Sequence, residues 1–194
     1  MLICVMLGFS CGLPLYILIS LMSAWFKAED LDVKQIGLFA LVGFPYSWKF
    51  IWAPLMDRFH IPFLGRRRGW MLTTQVVLLV CIVTLGFFSP RVELQHIVIL
   101  SGVVAFVSAS QDIVVDAYRR EMLGEHLQGA GTAVFVNAYK LSQLIPGSLS
   151  LVLSDMMSWQ AVFIITGLFM LPGAITTLLI TEPGLYGQPP KNLR

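Results

Sequence analysis

The chain has 194 residues, of which 57% are apolar and only 12% charged, and its formal net charge is +2. A soluble domain carries about 25% charged residues, so this chain lacks the charge to cover a water-soluble surface, and lipid is its expected solvent. Backbone polar groups in hydrocarbon need partners within their own segment. The expected class is therefore an all-α membrane protein with no soluble domain and no nucleic-acid partner.

Crossing the hydrocarbon takes about 20 predominantly apolar residues. Six runs qualify, at about Leu2–Phe26, Gln35–Met56, Trp70–Phe88, His96–Val115, Gly131–Leu153 and Gln160–Thr181. They predict one six-helix bundle over residues 1–182, followed by a cytoplasmic linker or tail at 183–194.

The first run has no basic leader and five spans follow it, so it reads as a retained helix rather than a signal peptide. Met1 lies almost inside it, which points to a trimmed or unusually short amino terminus. Its Gly8-xxx-Gly12 spacing allows close approach of another helix, and Pro14 removes a backbone hydrogen bond. The second run holds Pro45 and Pro54, with Lys49 between them.

Between the second and third runs lie Asp57, Arg58, Arg66, Arg67 and Arg68. An arginine at the bilayer centre costs about 2.5–3.5 kcal/mol on insertion scales, so this loop belongs in headgroups or water. One set of loops carries Arg58, Arg66, Arg67, Arg68, Arg119, Arg120, Lys191 and Arg194, and the other only Lys27, Lys34 and Arg91. Cytoplasmic loops are the basic ones, which predicts a multi-pass inner-membrane protein with both termini in the cytoplasm.

The fourth run is the most polar. Asp112 and Asp116 stand four apart and share a face, with Ser108 one turn before and Arg119 and Arg120 one turn after. The fifth carries Asn137, Tyr139, Lys140, Ser142 and Gln143 before Pro146-Gly147. The sixth is apolar apart from its threonines and Pro172-Gly173, and is expected to face lipid. The tail, rich in proline and glycine, cannot continue a helix.

An ionisable group inside a membrane is a functional hypothesis by default. Lys49 and Lys140 lie too deep to snorkel and are expected to face a hydrated cavity and hold an anionic substrate, with Gln111 and Asn137 beside them. Asp112 and Asp116 suit proton coupling, since a carboxyl group can take up and release a proton as its surroundings change. The plain alternative is that two lysines and two aspartates neutralise one another. Asp57, Arg58, Arg66, Arg67, Arg68, Arg119 and Arg120 form a candidate conformational latch, in which Arg119 or Arg120 meets Asp57.

Enzyme readings fail. The chain has no Gly-x-Gly-Asp, Gly-x-Ser-x-Gly or His-Glu-x-x-His, and no P-loop. Its three histidines are scattered, and Cys4, Cys11 and Cys81 have neither disulfide nor zinc spacing. No cofactor or metal is expected.

Asp57-Arg58 followed by Gly65-Arg66-Arg67-Arg68 resembles the loop 2–3 signature of the major facilitator superfamily. The small residue usual before the acidic position is displaced by Ala53-Pro54-Leu55-Met56. Gly8-Phe9-Ser10-Cys11-Gly12-Leu13-Pro14-Leu15, the run Lys49 to Arg58, and Ser108-Ala109-Ser110-Gln111-Asp112-Ile113-Val114-Val115-Asp116-Ala117 narrow the likeness. Together they resemble the AmpG-type muropeptide permeases of Gram-negative bacteria, and more distantly the acetyl-coenzyme A transporters.

The resemblance implies one half of a major facilitator fold. It implies import of anhydro-muropeptides from periplasm to cytoplasm, by proton symport, for peptidoglycan recycling. Carboxylates of the stem peptide would meet Lys49 and Lys140. Such permeases carry a second bundle, with the site between the halves. A missing C-terminal half or a second copy is therefore the expected partner, besides membrane lipid, substrate and protons. The alternatives are another anion carrier of the same fold, such as one for acetyl-coenzyme A, or an inactive membrane fragment or assembly subunit.

Overall fold

The computed structural model describes residues 1–59 and 64–182, so part of the arginine loop (60–63) and the predicted tail (183–194) lie outside the described residues. Within them all regular structure is helical. Four helices are long and apolar enough to cross a membrane: Leu2–Ala28, Arg66–Leu85, Pro90–Met122 and Trp159–Leu179, with mean hydropathies of 2.3, 1.6, 1.9 and 2.1.

The first comprises α1 (Leu2–Tyr16), a π-turn at Ile17–Leu21, and α2 (Met22–Ala28). Pro14 lies inside α1 and lacks the N–H that would reach back one turn; the π-turn begins three residues later.

Residues 33–58, where a second span was expected, are a series of short pieces. These are α3 (Val33–Phe39), a 3₁₀ turn at Ala40–Gly43, α4 (Phe44–Trp48), a second 3₁₀ turn at Lys49–Ile51, and α5 (Ala53–Arg58). Pro45 and Pro54 sit in the first turns of α4 and α5. There a missing N–H costs nothing, so each proline restarts the helix. Lys49 falls in the break between them.

The continuous helices α6 (Arg66–Leu85) and α7 (Pro90–Met122) follow. At 1.5 Å per residue the 33 residues of α7 reach about 50 Å, well past a hydrocarbon core of about 30 Å. The predicted fifth span is again interrupted: α8 (Gln128–Leu141), a π-turn at Ile145–Leu149 around Pro146, and α9 (Ser150–Ser154). Last come α10 (Trp159–Leu168) and α11 (Leu171–Leu179).

The expectation that the sixth run faces lipid needs correction. Val162, Phe163, Thr166, Gly167, Gly173 and Thr177 are buried, and α10 and α11 pack on α6, with α11 also against α1. The threonines explain the error, because they pair inward. Thr166 shares a 2.6 Å hydrogen bond with Ser150, and Thr177 donates to Gln75 at 2.9 Å.

Helix α1 packs most closely on α8. A side chain on Gly8 would stand 2.5 Å from the Phe135 carbonyl oxygen, and one on Gly12 would strike the Tyr139 carbonyl and the Ser142 hydroxyl. The apolar core falls into two clusters. One surrounds Trp25, Phe26, Leu78, Ile82 and Phe163; the other surrounds Leu7, Cys11, Met71, Val115 and Tyr118.

Hydrogen-bonded polar groups also cross the interior. Gln111 Nε2 donates to Ser10 Oγ at 3.3 Å, and Ser10 and the amide of Gln75 both flank Gly173. These polar groups of α1, α6 and α7 are buried between the helices.

Candidate functional site

The candidate side chains gather in three places: within the bundle around Asp112, in a groove on α8, and at the end that carries the arginine loop.

Asp112 faces the break in residues 33–58. Lys49 Nζ lies 3.4 Å from Asp112 Oδ2, with the lysine side chain 36% exposed and that of the aspartate 11%. The pair thus sits at an open edge of the bundle: the mutual neutralisation that the sequence allows occurs between Lys49 and Asp112, while Asp116 meets Arg119 and Lys140 lies apart. One turn of the backbone explains the arrangement. The 3₁₀ turn at Lys49–Ile51 presents the lysine to α7, and Trp52 anchors the same segment by donating from Nε1 to Ser110 Oγ at 3.0 Å while its ring meets Phe106 at 4.8 Å.

Beside the pair lie the buried polar atoms Tyr46 Oη, Ser108 Oγ, Gln111 Oε1 and Asp112 Oδ1, with the Tyr46 and Ser108 hydroxyls next to each other and the Cys11 thiol next to Asp112. Tyr46 belongs to α4 and the other three to α7, so a polar seam joins the interrupted segment to the long helix. Interrupted helices that free polar groups at membrane depth are a recurring basis of transporter sites.

Gln111 belongs to this cluster, as its sequence position implied. Asn137 and Lys140 come together elsewhere, in a groove of about 420 Å³ on α8 with Gln143, Gly147 and Ser148. Lys140 is exposed there, and Asn137 donates to Ala133 O of its own helix at 2.9 Å.

Asp116 is drawn to the basic end, where it accepts from Arg119 Nη2 at 3.0 Å. The Arg119 guanidinium also reaches Thr132 Oγ1 and lies 4.9 Å above the Phe135 ring. It joins α7 to α8.

The expected contact of Arg119 or Arg120 with Asp57 does not form. Asp57 instead pairs with Arg67 at 2.5 Å, and the contribution of α7 is Glu121, which accepts from Arg67 Nη2 at 2.9 Å and Arg66 Nη2 at 2.7 Å. Arg119 is engaged with Asp116 one turn away, and Arg120 turns back to the Asp116 carbonyl. Arg67 is nearly buried, with 8% of its side chain exposed.

A second tie was not anticipated. Gly65, at φ +99°, leads into α6, and the Glu182 carboxylate lies against it. That carboxylate accepts from the backbone N–H groups of Arg67 (2.8 Å) and Arg68 (3.2 Å), the favourable place for an anion on a helix. Arg68 in turn donates to the carbonyls of Thr177 and Leu178 at the end of α11, and Tyr118 to that of Thr181. The basic end is thereby held from four segments. Nearby, a mostly apolar groove of about 690 Å³ lies between Leu2, Met6, Met122 and Leu179.

At the opposite end Arg91 reaches Glu29 at 3.0 Å and Asp30 at 3.5 Å.

Comparison with known proteins gives a family and relatives. The sequence pattern of the Major Facilitator Superfamily matches residues 3–193. The anhydromuropeptide permease of Escherichia coli K12 is 46% identical over 182 residues, covering 93% of this chain and 37% of that protein. An uncharacterized protein of Haemophilus influenzae is 44% identical over 182 residues, covering 94% of this chain and 43% of the relative. The chain thus spans about two fifths of the length of the curated relatives it matches.

Proposed function

Because the chain belongs to the major facilitator superfamily, whose members are transporters and not enzymes, we propose that it serves an anhydromuropeptide permease, as the six-span bundle forming one wall of the substrate site. The interrupted segments 33–58 and 128–154 supply the second and fifth spans. The facing wall comes from a second bundle or a second copy of this one. The basic end lies in the cytoplasm, substrate enters from the opposite side, and the proton gradient drives accumulation.

The observation that carries this reading is the Lys49–Asp112 pair, half open and flanked by the buried polar groups of Tyr46, Ser108 and Gln111. One lysine suits one ligand carboxylate. A polyphosphate, such as the nucleotide part of coenzyme A, calls for several cations at close range, and among the described residues Lys140 lies in a different groove. The identity to the Escherichia coli permease supports the same substrate class.

The test is uptake by proteoliposomes holding the product of the complete reading frame. An imposed inward proton gradient should concentrate labelled N-acetylglucosaminyl-anhydro-N-acetylmuramic acid, and an uncoupler should abolish this. Asp112→Asn should keep binding and lose gradient-driven accumulation. Concentration of acetyl-coenzyme A in place of the disaccharide would overturn the substrate assignment, and an Asp112→Asn protein with normal uncoupler-sensitive uptake would overturn the role of Asp112. For orientation, in a cysteine-free background an impermeant thiol reagent on intact cells should reach Lys34→Cys but not Arg58→Cys; the reverse would invert the topology.

A further inference from the structure

Three phenols come from three separate elements: Tyr46 in α4 and Tyr139 in α8, both near Asp112, and Tyr16 at the end of α1, against Tyr139. The rings of Tyr16 and Tyr139 meet edge to face with centroids 6.0 Å apart. Tyr139 has Asp112, Tyr46, Cys11 and Tyr16 within electrostatic reach, and Tyr46 has Ser108, Asp112 and Cys11. All three side chains are half-buried, and the Tyr46 hydroxyl is buried beside that of Ser108.

Their placement is firm. Gly12 brings α1 against the backbone of Tyr139, and Ser142 Oγ donates to the Tyr139 carbonyl at 2.6 Å. The carboxylate–lysine contact proposed above uses none of these phenols.

A phenol joins an apolar face to one polar tip. A pyranose ring has the complementary build, with a face of C–H groups and a rim of hydroxyl and acetamido groups. Near Tyr46 and Tyr139 stand polar groups of both kinds: the Tyr46 and Ser108 hydroxyls, which donate or accept, and the Asp112 carboxylate, which accepts. A small carboxylic acid would leave the aromatic faces unused, and lipid would leave the polar atoms unmet.

Resting on the permease reading, we infer that Tyr16, Tyr46 and Tyr139 form a saccharide subsite that grips a pyranose ring of the ligand whose carboxylate Lys49 takes.

The test separates sugar from charge. The probe is N-acetylglucosaminyl-anhydro-N-acetylmuramic acid converted to its lactyl carboxamide, which keeps both sugars and carries no carboxylate. Binding is measured on the purified product of the complete reading frame. Tyr139→Leu and Tyr46→Leu should each weaken binding of the carboxamide about tenfold, the scale of one aromatic contact with its hydrogen bond. Tyr139→Phe should retain most of the affinity. Tyr16→Leu serves where a variant does not fold, and should show the same loss. Leucine variants that bind the carboxamide as the wild type does would overturn the subsite. A wild-type protein that binds neither carboxamide nor free acid would instead overturn the permease reading, and the subsite with it.

Discussion

Arg67→Ala is expected to loosen the basic end more than any other single loss of charge. The guanidinium joins Asp57 to Glu121 and is almost fully buried, so its removal leaves a cavity and strips two charge-assisted hydrogen bonds from Glu121 and one from Asp57. Cutting one partner out of a buried ion pair costs about 3–5 kcal/mol. Two features reduce that figure here. Asp57 is 54% exposed and regains water, and Glu121 keeps Arg66. A loss of about 2–3 kcal/mol remains, or roughly 5–10 °C in the melting temperature of the protein in detergent. Arg66→Ala, which leaves Arg67 bridging both carboxylates, should cost less than half as much. Equal effects of the two substitutions would mean that Arg67 is no bridge.

The second large effect is steric. Gly12→Leu places a side chain where the Tyr139 carbonyl and Ser142 hydroxyl already stand, and backbone cannot step aside as a flexible side chain can. Overpacking a core costs about 1–3 kcal/mol when side chains can shift, and here α1 and α8 must separate along their length. The expected result is loss of the monodisperse peak in size-exclusion chromatography. Gly12→Ala should give an intermediate loss, since the first added carbon is the one that collides. Gly102→Ala is the control: that position in α7 has nothing within 4 Å, and alanine is the better helix former by about 1 kcal/mol. Equal stability of Gly12→Leu and wild type would refute the close approach of α1 and α8.

Much of this arrangement is legible in the sequence. Arginines 66 to 68 mark the basic end because their hydration cost forbids any other depth. The four-residue spacing of Asp112 and Asp116 correctly puts both on one face, yet α7 is long enough that its face runs from the middle of the bundle to the basic end. The two carboxylates therefore meet different partners, Lys49 and Arg119. Pro45 and Pro54 signal irregularity in the second span, but local propensity does not say that the chain restarts twice and leaves Lys49 on the 3₁₀ turn between.

Partner choice at the basic end is the least legible part. Arg119, Arg120 and Glu121 are consecutive, and about 100° of helix rotation separates each from the next. Only the packing of α6 on α7 decides which one meets the arginine loop. Glu182 reads as the start of a linker, and its role depends on α11 ending beside the first turn of α6, a contact across more than 100 residues. Tyr16 and Tyr46 carry no sequence signal, because an isolated tyrosine in an apolar span is ordinary. Only the fold brings Tyr46 near Asp112 and Tyr16 against Tyr139.

The central claim is that Lys49 receives a carboxylate of the ligand, and a comparison of two ligands differing in one charge tests it most directly. The wild-type protein should bind N-acetylglucosaminyl-anhydro-N-acetylmuramic acid about ten- to a hundredfold more tightly than its lactyl carboxamide, the value of one hydrogen bond to a charged group. In Lys49→Gln that preference should vanish, and in Lys140→Gln it should persist. A preference that survives Lys49→Gln and disappears in Lys140→Gln would contradict the account and move the binding site to the groove on α8.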